Sequence, residues 1–180
     1  MRRKLIASTA VAALLALMRV WDAGSARADE HAAAAPGDGL SFSSAPVRIA
    51  RIRVKAGVSF DDAVESMRLR ANQRNLKYVG VNQLGKEIEV LGGKPWRRIE
   101  IFTFCDALAA QKMIEADVSM LAYMPCRIGL LEDAQGTVWV IAMMIDEAVM
   151  QALPAAARES AQRVTAILQE VMIAAARGDL

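Results

Sequence analysis

The sequence predicts an α+β domain: a small antiparallel sheet carrying two packed helices, in the order β-α-β-β-β-α-β-β, with a long C-terminal helix added. Three observations carry this expectation. The stretch WRRIEIFTF, residues 96–104, sets Arg98, Glu100, Phe102 and Phe104 against Arg97, Ile99, Ile101 and Thr103, the two-residue period of a strand. CRIGLLEDAQGTVWVIAMM holds two apolar segments, Cys126–Leu131 and Thr137–Met143, around Asp133-Ala134-Gln135-Gly136, which reads as a hairpin. After Pro154, Ala157, Ala161, Val164, Leu168, Val171 and Ala175 are spaced 4, 3, 4, 3, 4, one stripe of a helix.

The remaining elements follow in chain order. VRIARIRV alternates Val47, Ile49, Arg51 and Arg53 with Arg48, Ala50, Ile52 and Val54 and reads as the first strand. Ser59 followed by Asp62 is a capping-box pattern with Asp in place of the usual Glu. The helix it opens buries Phe60, Ala63, Val64, Met67 and Ala71 on one stripe. LKYVGVNQL reads as a second strand, and KEIEVLGG as a short third one ended by Gly92-Gly93. WRRIEIFTF is then the fourth, and a helix runs from about Asp106 to Ala116. Both strands of the hairpin are apolar on both faces, so both faces are expected to be covered. The chain is helical after Asp146, with Pro154 suited to the first turn of a new helix. The C-terminal stripe predicts either a helix packed on its own sheet or, if exposed, a dimer seam through Ala161, Val164 and Leu168.

The first residues indicate export. Arg2, Arg3 and Lys4 precede an apolar run of 14 residues, Leu5 to Met18, and Ala26-Arg27-Ala28 precedes Asp29. This is the anatomy of a signal peptide over residues 1–28, cleaved to leave a periplasmic or secreted protein with no membrane segment. Residues 29–46, rich in Ala, Gly, Ser and Pro, read as a flexible tether. The folded domain is expected over 47–145, with 146–180 as a helical extension. Of 22 basic and 20 acidic side chains, five and one lie in residues 1–28, leaving 17 against 19. The exported chain is thus slightly acidic and has no basic patch for nucleic acid.

The residue inventory excludes several chemistries. The single histidine, His31, lies on the tether, so neither a Ser-His nor a Cys-His nucleophile system fits. Two cysteines 21 residues apart do not make an ordinary zinc site, and no C-x-x-C-H for haem attachment occurs. Met113, Met120, Met124, Met143 and Met144 crowd the cysteines in sequence. Soft sulfur ligands suit Cu(I), but methionine is also an ordinary core filler, so the metal and any cofactor stay open. Cys105 precedes a helix start, which favours a thiolate, while the charge of Asp106 opposes it. Arg127 neighbours Cys126 but points to the opposite face of its strand.

Residues 99–144 resemble the domain-of-unknown-function 302 family. The resemblance rests on Phe104-Cys105-Asp106, on Pro125-Cys126-Arg127, and on Glu132-Asp133 with Gly136 before the last strand. The upstream stretch VSFDDAVESMRLRANQRNLKYVGVNQLGKEI resembles that family's opening helix and strand, so the likeness covers roughly 47–145. It implies a small antiparallel α+β fold, often dimeric, with no settled activity. The C-terminal helix lies outside that core pattern. Exported versions with the same two cysteine motifs resemble proteins of sulfur-oxidising bacteria, which implies a link to sulfur compounds by analogy alone.

Two functions follow as expectations. The first is a non-enzymatic binding or accessory protein for a small molecule or protein partner, acting alone or as a homodimer. The alternative is a thiol-dependent redox or sulfur-handling protein using Cys105 and Cys126. The resembled antiparallel fold puts these cysteines near one another at one end of the sheet. There they could form a disulfide, a dithiol pair or part of a soft-ligand site. The preferred expectation is that they mark the edge of a functional pocket, with Met124, Arg127 and Asp106 beside them.

Overall fold

The computed structural model describes residues 44–179. The leader and tether with His31, expected over 1–46, lie almost wholly outside the described residues. The elements are β1 (Val47–Arg53), α1 (Phe60–Gln73), β2 (Lys77–Asn82), α2 (Leu84–Gly92) and β3 (Ile99–Cys105). There follow α3 (Ala107–Ala116), a 3-10 turn (Val118–Tyr123), β4 (Cys126–Glu132), β5 (Val138–Ile145), α4 (Glu147–Ala152) and α5 (Ala155–Arg177). The strands form one five-stranded sheet in the order β1-β5-β4-β3-β2, every pair antiparallel. The α+β class stands. Among the described residues, no helix is long and apolar enough to cross a membrane.

Local signals set most of these elements. Ser59 caps α1 as a true capping box: its hydroxyl accepts the Asp62 N–H at 3.0 Å, and the Asp62 carboxylate accepts the Ser59 N–H at 3.1 Å. Hydrogen bonding to the Asp62 carboxyl by the Ser59 side chain, and then by its N–H, holds that carboxyl below its usual range. Asp133 builds the β4–β5 turn. One oxygen accepts the N–H groups of Gln135 and Thr137, and the other accepts the Trp139 indole N–H at 2.8 Å.

One expected strand is a helix. Residues 86–92 belong to α2, so the sheet has five strands and not six. Leu84, Ile88 and Leu91 are spaced i, i+4, i+7, which serves a helix as well as Ile88 and Val90 serve a strand. Gly93 then closes the helix in the left-handed region, at φ 64°, where glycine carries no Cβ penalty. Gly85 seats α2 against β3, because a Cβ there would lie 2.6 Å from the Arg97 carbonyl oxygen.

One face of the sheet is covered. Phe102 and Phe104 of β3, Ile128 and Leu130 of β4, and Val140 and Ala142 of β5 are buried. They pack with Met67 and Ala71 of α1 and with Leu168, Val171 and Ala175 of α5 in one core. A second cluster joins Ala109 and Met113 of α3 to Met150, Ala157, Ala161 and Val164. The C-terminal stripe is therefore internal: all six of its residues are buried. This corrects the expectation of a dimer seam through Ala161, Val164 and Leu168. The helix expected as an extension is part of the layer covering the sheet.

The expectation that both faces are covered is also corrected. Cross-strand partners share a face. The register therefore gathers Ile49, Arg51 and Arg53 of β1 with Met143, Ile141 and Trp139 of β5. Gly129, Leu131 and Arg127 of β4 and Ile101, Ile99 and Thr103 of β3 join the same face. None of these residues is buried, and the helices of the core clusters all lie on the other side. Among the described residues no helix of either core cluster covers this face.

Candidate functional site

The two cysteines sit at one end of the sheet, as the antiparallel order requires. β3 ends at Cys105 and β4 begins at Cys126, with Phe104 paired to Cys126 and Lys77 of β2 paired to Cys105. Alternation then separates them: Cys126 shares the covered face with Phe104, whereas Cys105 shares the open face with Lys77. Both are free thiols and both are half-buried. Neighbours in the sheet that point to opposite faces are poorly placed for a disulfide.

The thiols differ chemically. Burial pushes the Cys126 thiol up to about 11, and the nearby Cys105 adds to the rise. That favours the protonated, less nucleophilic form of Cys126 at neutral pH. It lines a small apolar cavity of about 30 Å³ with Met113, Tyr123, Met124 and Met144. Cys105 has Lys77 directly opposite on β2, and Arg127, the partner of Thr103, diagonally across on β4.

Asp106 caps α3 by accepting the Ala109 N–H at 3.0 Å. It also pairs with Arg163 of α5 at 2.9 Å. Burial raises its carboxyl, but the Ala109 N–H and the Arg163 guanidinium outweigh that and hold it below its usual range. Its visible work is to anchor α3 on α5. The five residues read from the sequence therefore do not form one pocket edge. Met124 and Cys126 lie on the covered side, Cys105 and Arg127 on the open side, and Asp106 at the helix start between them. The methionines likewise divide, Met113, Met120 and Met144 being buried in the two cores while Met143 pairs with Ile49 on the open face. Among the described residues, no three His, Cys, Asp or Glu side chains gather as a metal site.

The opposite end of the sheet holds a polar cleft that sequence reasoning missed. About 490 Å³ in volume, it is lined among others by Asp61, Lys86, Glu89, Trp96, Arg98 and Glu100. Arg98 is its fixed centre. Its Nε donates to Glu100 at 2.8 Å, its Nη1 to Asp61 at 2.8 Å, and its plane stacks on Phe60 at 4.0 Å. Burial opposes the Arg98 charge, but these carboxylates outweigh it and raise its already high pKa. Glu100 is 6% exposed, a nearly buried carboxylate made tolerable by that pairing. The sequence did hold a signal: Arg98 and Glu100 fall on the same side of the alternation as Phe102 and Phe104, where charge needs a partner. That partner, Asp61, lies on α1.

Comparison with known proteins agrees with the fold. The crystal structure of an uncharacterized conserved DUF302 protein from Bacillus stearothermophilus superposes with a TM-score of 0.58 at 13% identity, covering 71% of this chain and 97% of that one. No curated protein matches the chain. The family described as domain of unknown function DUF302 matches residues 51–175, from β1 through nearly all of α5. The C-terminal helix therefore lies inside the matched region, and the chain belongs to the DUF302 family.

Proposed function

We infer that this is an exported, non-enzymatic binding protein for a small polar molecule. The observation that carries the reading is the Arg98 cleft. Its volume falls in the range of small-ligand sites. Its central guanidinium is preorganised by two carboxylates, and two of its five N–H donors are used, leaving three. Asp61, Glu89 and Glu100 balance Lys86, Arg97 and Arg98 around the lining, which suits a neutral or zwitterionic ligand rather than a polyanion. Trp96, 41% exposed and with the Arg97 guanidinium 4.9 Å from its ring centre, offers the ligand its other ring face. Thermal unfolding against a panel of amino acids and aminosulfonates tests this. One class should raise the midpoint in wild type by mass action and fail to do so in Trp96→Ala. Equal shifts in both proteins, or none in either, would contradict it.

A second reading keeps the thiol and the sulfur link. It is favoured by Cys105 on the open face beside two cations, Lys77 and Arg127, which have no ion-pair partner among the described residues. In that reading Cys105 acts alone and Cys126 is a core residue. Trapping with a sulfur-directed alkylating reagent, read by intact mass, tests it: a sulfane adduct should appear on Cys105 in protein from its native source and be absent from Cys105→Ser.

A further inference from the structure

We propose that the sulfur side chains around the small cavity between the sheet and α5 form a soft-metal site, which takes one Cu(I) ion on Cys126 and the methionines beside it. This goes beyond the Arg98 cleft, lies at the other end of the sheet and does not depend on it. The cavity is about 30 Å³, and five of the ten residues lining it carry sulfur: Met113, Met124, Cys126, Met143 and Met144. The whole chain has only ten methionines and two cysteines among 180 residues, so sulfur is gathered here and not spread evenly through the core. Met143 belongs to the open face, and the other four converge from four places in the chain. Met113 comes from α3, Met124 from the loop before β4, Cys126 from the start of β4 and Met144 from the end of β5. Met113 and Met144 are buried, while Met124 and Cys126 are half-buried. Packing thus fixes two of the ligands, and the other two border the side from which an ion can enter.

Ligand chemistry selects the ion. Among the described residues no three His, Cys, Asp or Glu side chains gather, so hard cations and an ordinary zinc site are not served. One thiolate with thioethers is a soft donor set, which suits Cu(I). Charge selects the same ion. The thiolate and Cu(I) cancel, so the loaded site carries no net charge into an apolar cavity, whereas a divalent ion on the same ligands would leave a buried positive charge. Size agrees, since a single water-sized body needs about 10–15 Å³ of such volume. A water would be poorly held there, because it needs about two to four polar partners. Only Tyr123 and Thr165 of the lining carry hydroxyls, and Thr165 already directs its own at the Met150 sulfur, 4.0 Å away. Loading is a ligand exchange without redox. The Cys126 S–H bond breaks and its proton goes to solvent as the S–Cu bond forms, the thioethers add lone pairs, and copper stays Cu(I).

Anaerobic titration of the purified protein with Cu(I), against bicinchoninate as a chromophoric competitor, tests the proposal. Cys105→Ser serves as the background, because it removes the other thiol. That protein should withdraw one Cu(I) per chain from the competitor, and adding Cys126→Ser should abolish the withdrawal. Met124→Leu and Met144→Leu keep volume and apolar character, so each should fold with a thermal midpoint near that of the background. Each should nevertheless weaken Cu(I) binding by about tenfold or more, a loss that even outer-shell changes produce at metal sites. X-ray absorption of the loaded protein should show sulfur neighbours alone. A background protein that withdraws no copper would overturn the proposal. So would an affinity that neither methionine change lowers, which would leave copper on a bare thiolate, or a copper shell of nitrogen or oxygen.

Discussion

The two faces of the sheet are built from the same strands and are similarly apolar, yet only one is buried. On β3, Phe102 and Phe104 disappear under α1 and α5 while Ile99 and Ile101 remain half-buried. On β4, Ile128 and Leu130 are fully buried, and Gly129 and Leu131 are not. Apolar content thus marks both faces as surfaces to be covered without saying what covers them. The chain supplies one layer, in which its C-terminal helix is a full partner. The same division separates the two cysteines: Cys126 went with the core and Cys105 with the open face.

The comparison can be broken most forcefully within one strand. Phe102→Ala should cost about 3–5 kcal/mol of unfolding free energy. Its neighbour Ile101→Ala, measured by denaturant titration at submicromolar protein, should cost less than about 1 kcal/mol. Equal losses would mean that the second face is buried within the chain as well. The thiols give the next largest contrast. With the Cys126 thiol at about 11, only about one part in a thousand is thiolate at pH 8. An aromatic disulfide reagent should therefore label one cysteine of the native protein, mapped by peptide mass to Cys105, and label Cys126 only in denaturant. Fast labelling of Cys126 would place it outside the core. A smaller effect sharpens the account of the covered side. Asp106→Ala should lose about 1 kcal/mol through the α3 cap. Because the Asp106 carboxyl is held below 3.8 in the folded state, its ionic contribution is complete above that value. It fades as pH falls through the lower folded value. Wild type should therefore lose part of its advantage over the variant only below about pH 3.8, and a difference that fades near neutrality would assign the shift to another group.

Much of this fold was legible because its signals are local. The Ser59 capping box, the Asp133 turn and the alternation of residues 98–104 each dictate their element within a few residues. KEIEVLGG was misread because eight residues can satisfy both a period of two and a helical stripe. The deciding contact, Gly85 against the Arg97 carbonyl, comes from another part of the chain. The same limit applied to the sites. Strand order placed both cysteines at one end of the sheet, but only the pairing of Phe104 with Cys126 decides which face each takes. The charged pair on the Phe102 face was visible in the sequence, whereas its partner Asp61, 37 residues before Arg98, was not.

The division into a covered face and an open face is tested most directly by methyl NMR of dilute protein with a soluble gadolinium chelate. The methyls of Ile128 and Leu130 should be shielded from paramagnetic broadening, and those of Ile101, Leu131 and Ile141 should broaden. Methyls of the open face that stay as shielded as Ile128 and Leu130 would show that face to be covered within one chain and would contradict the account.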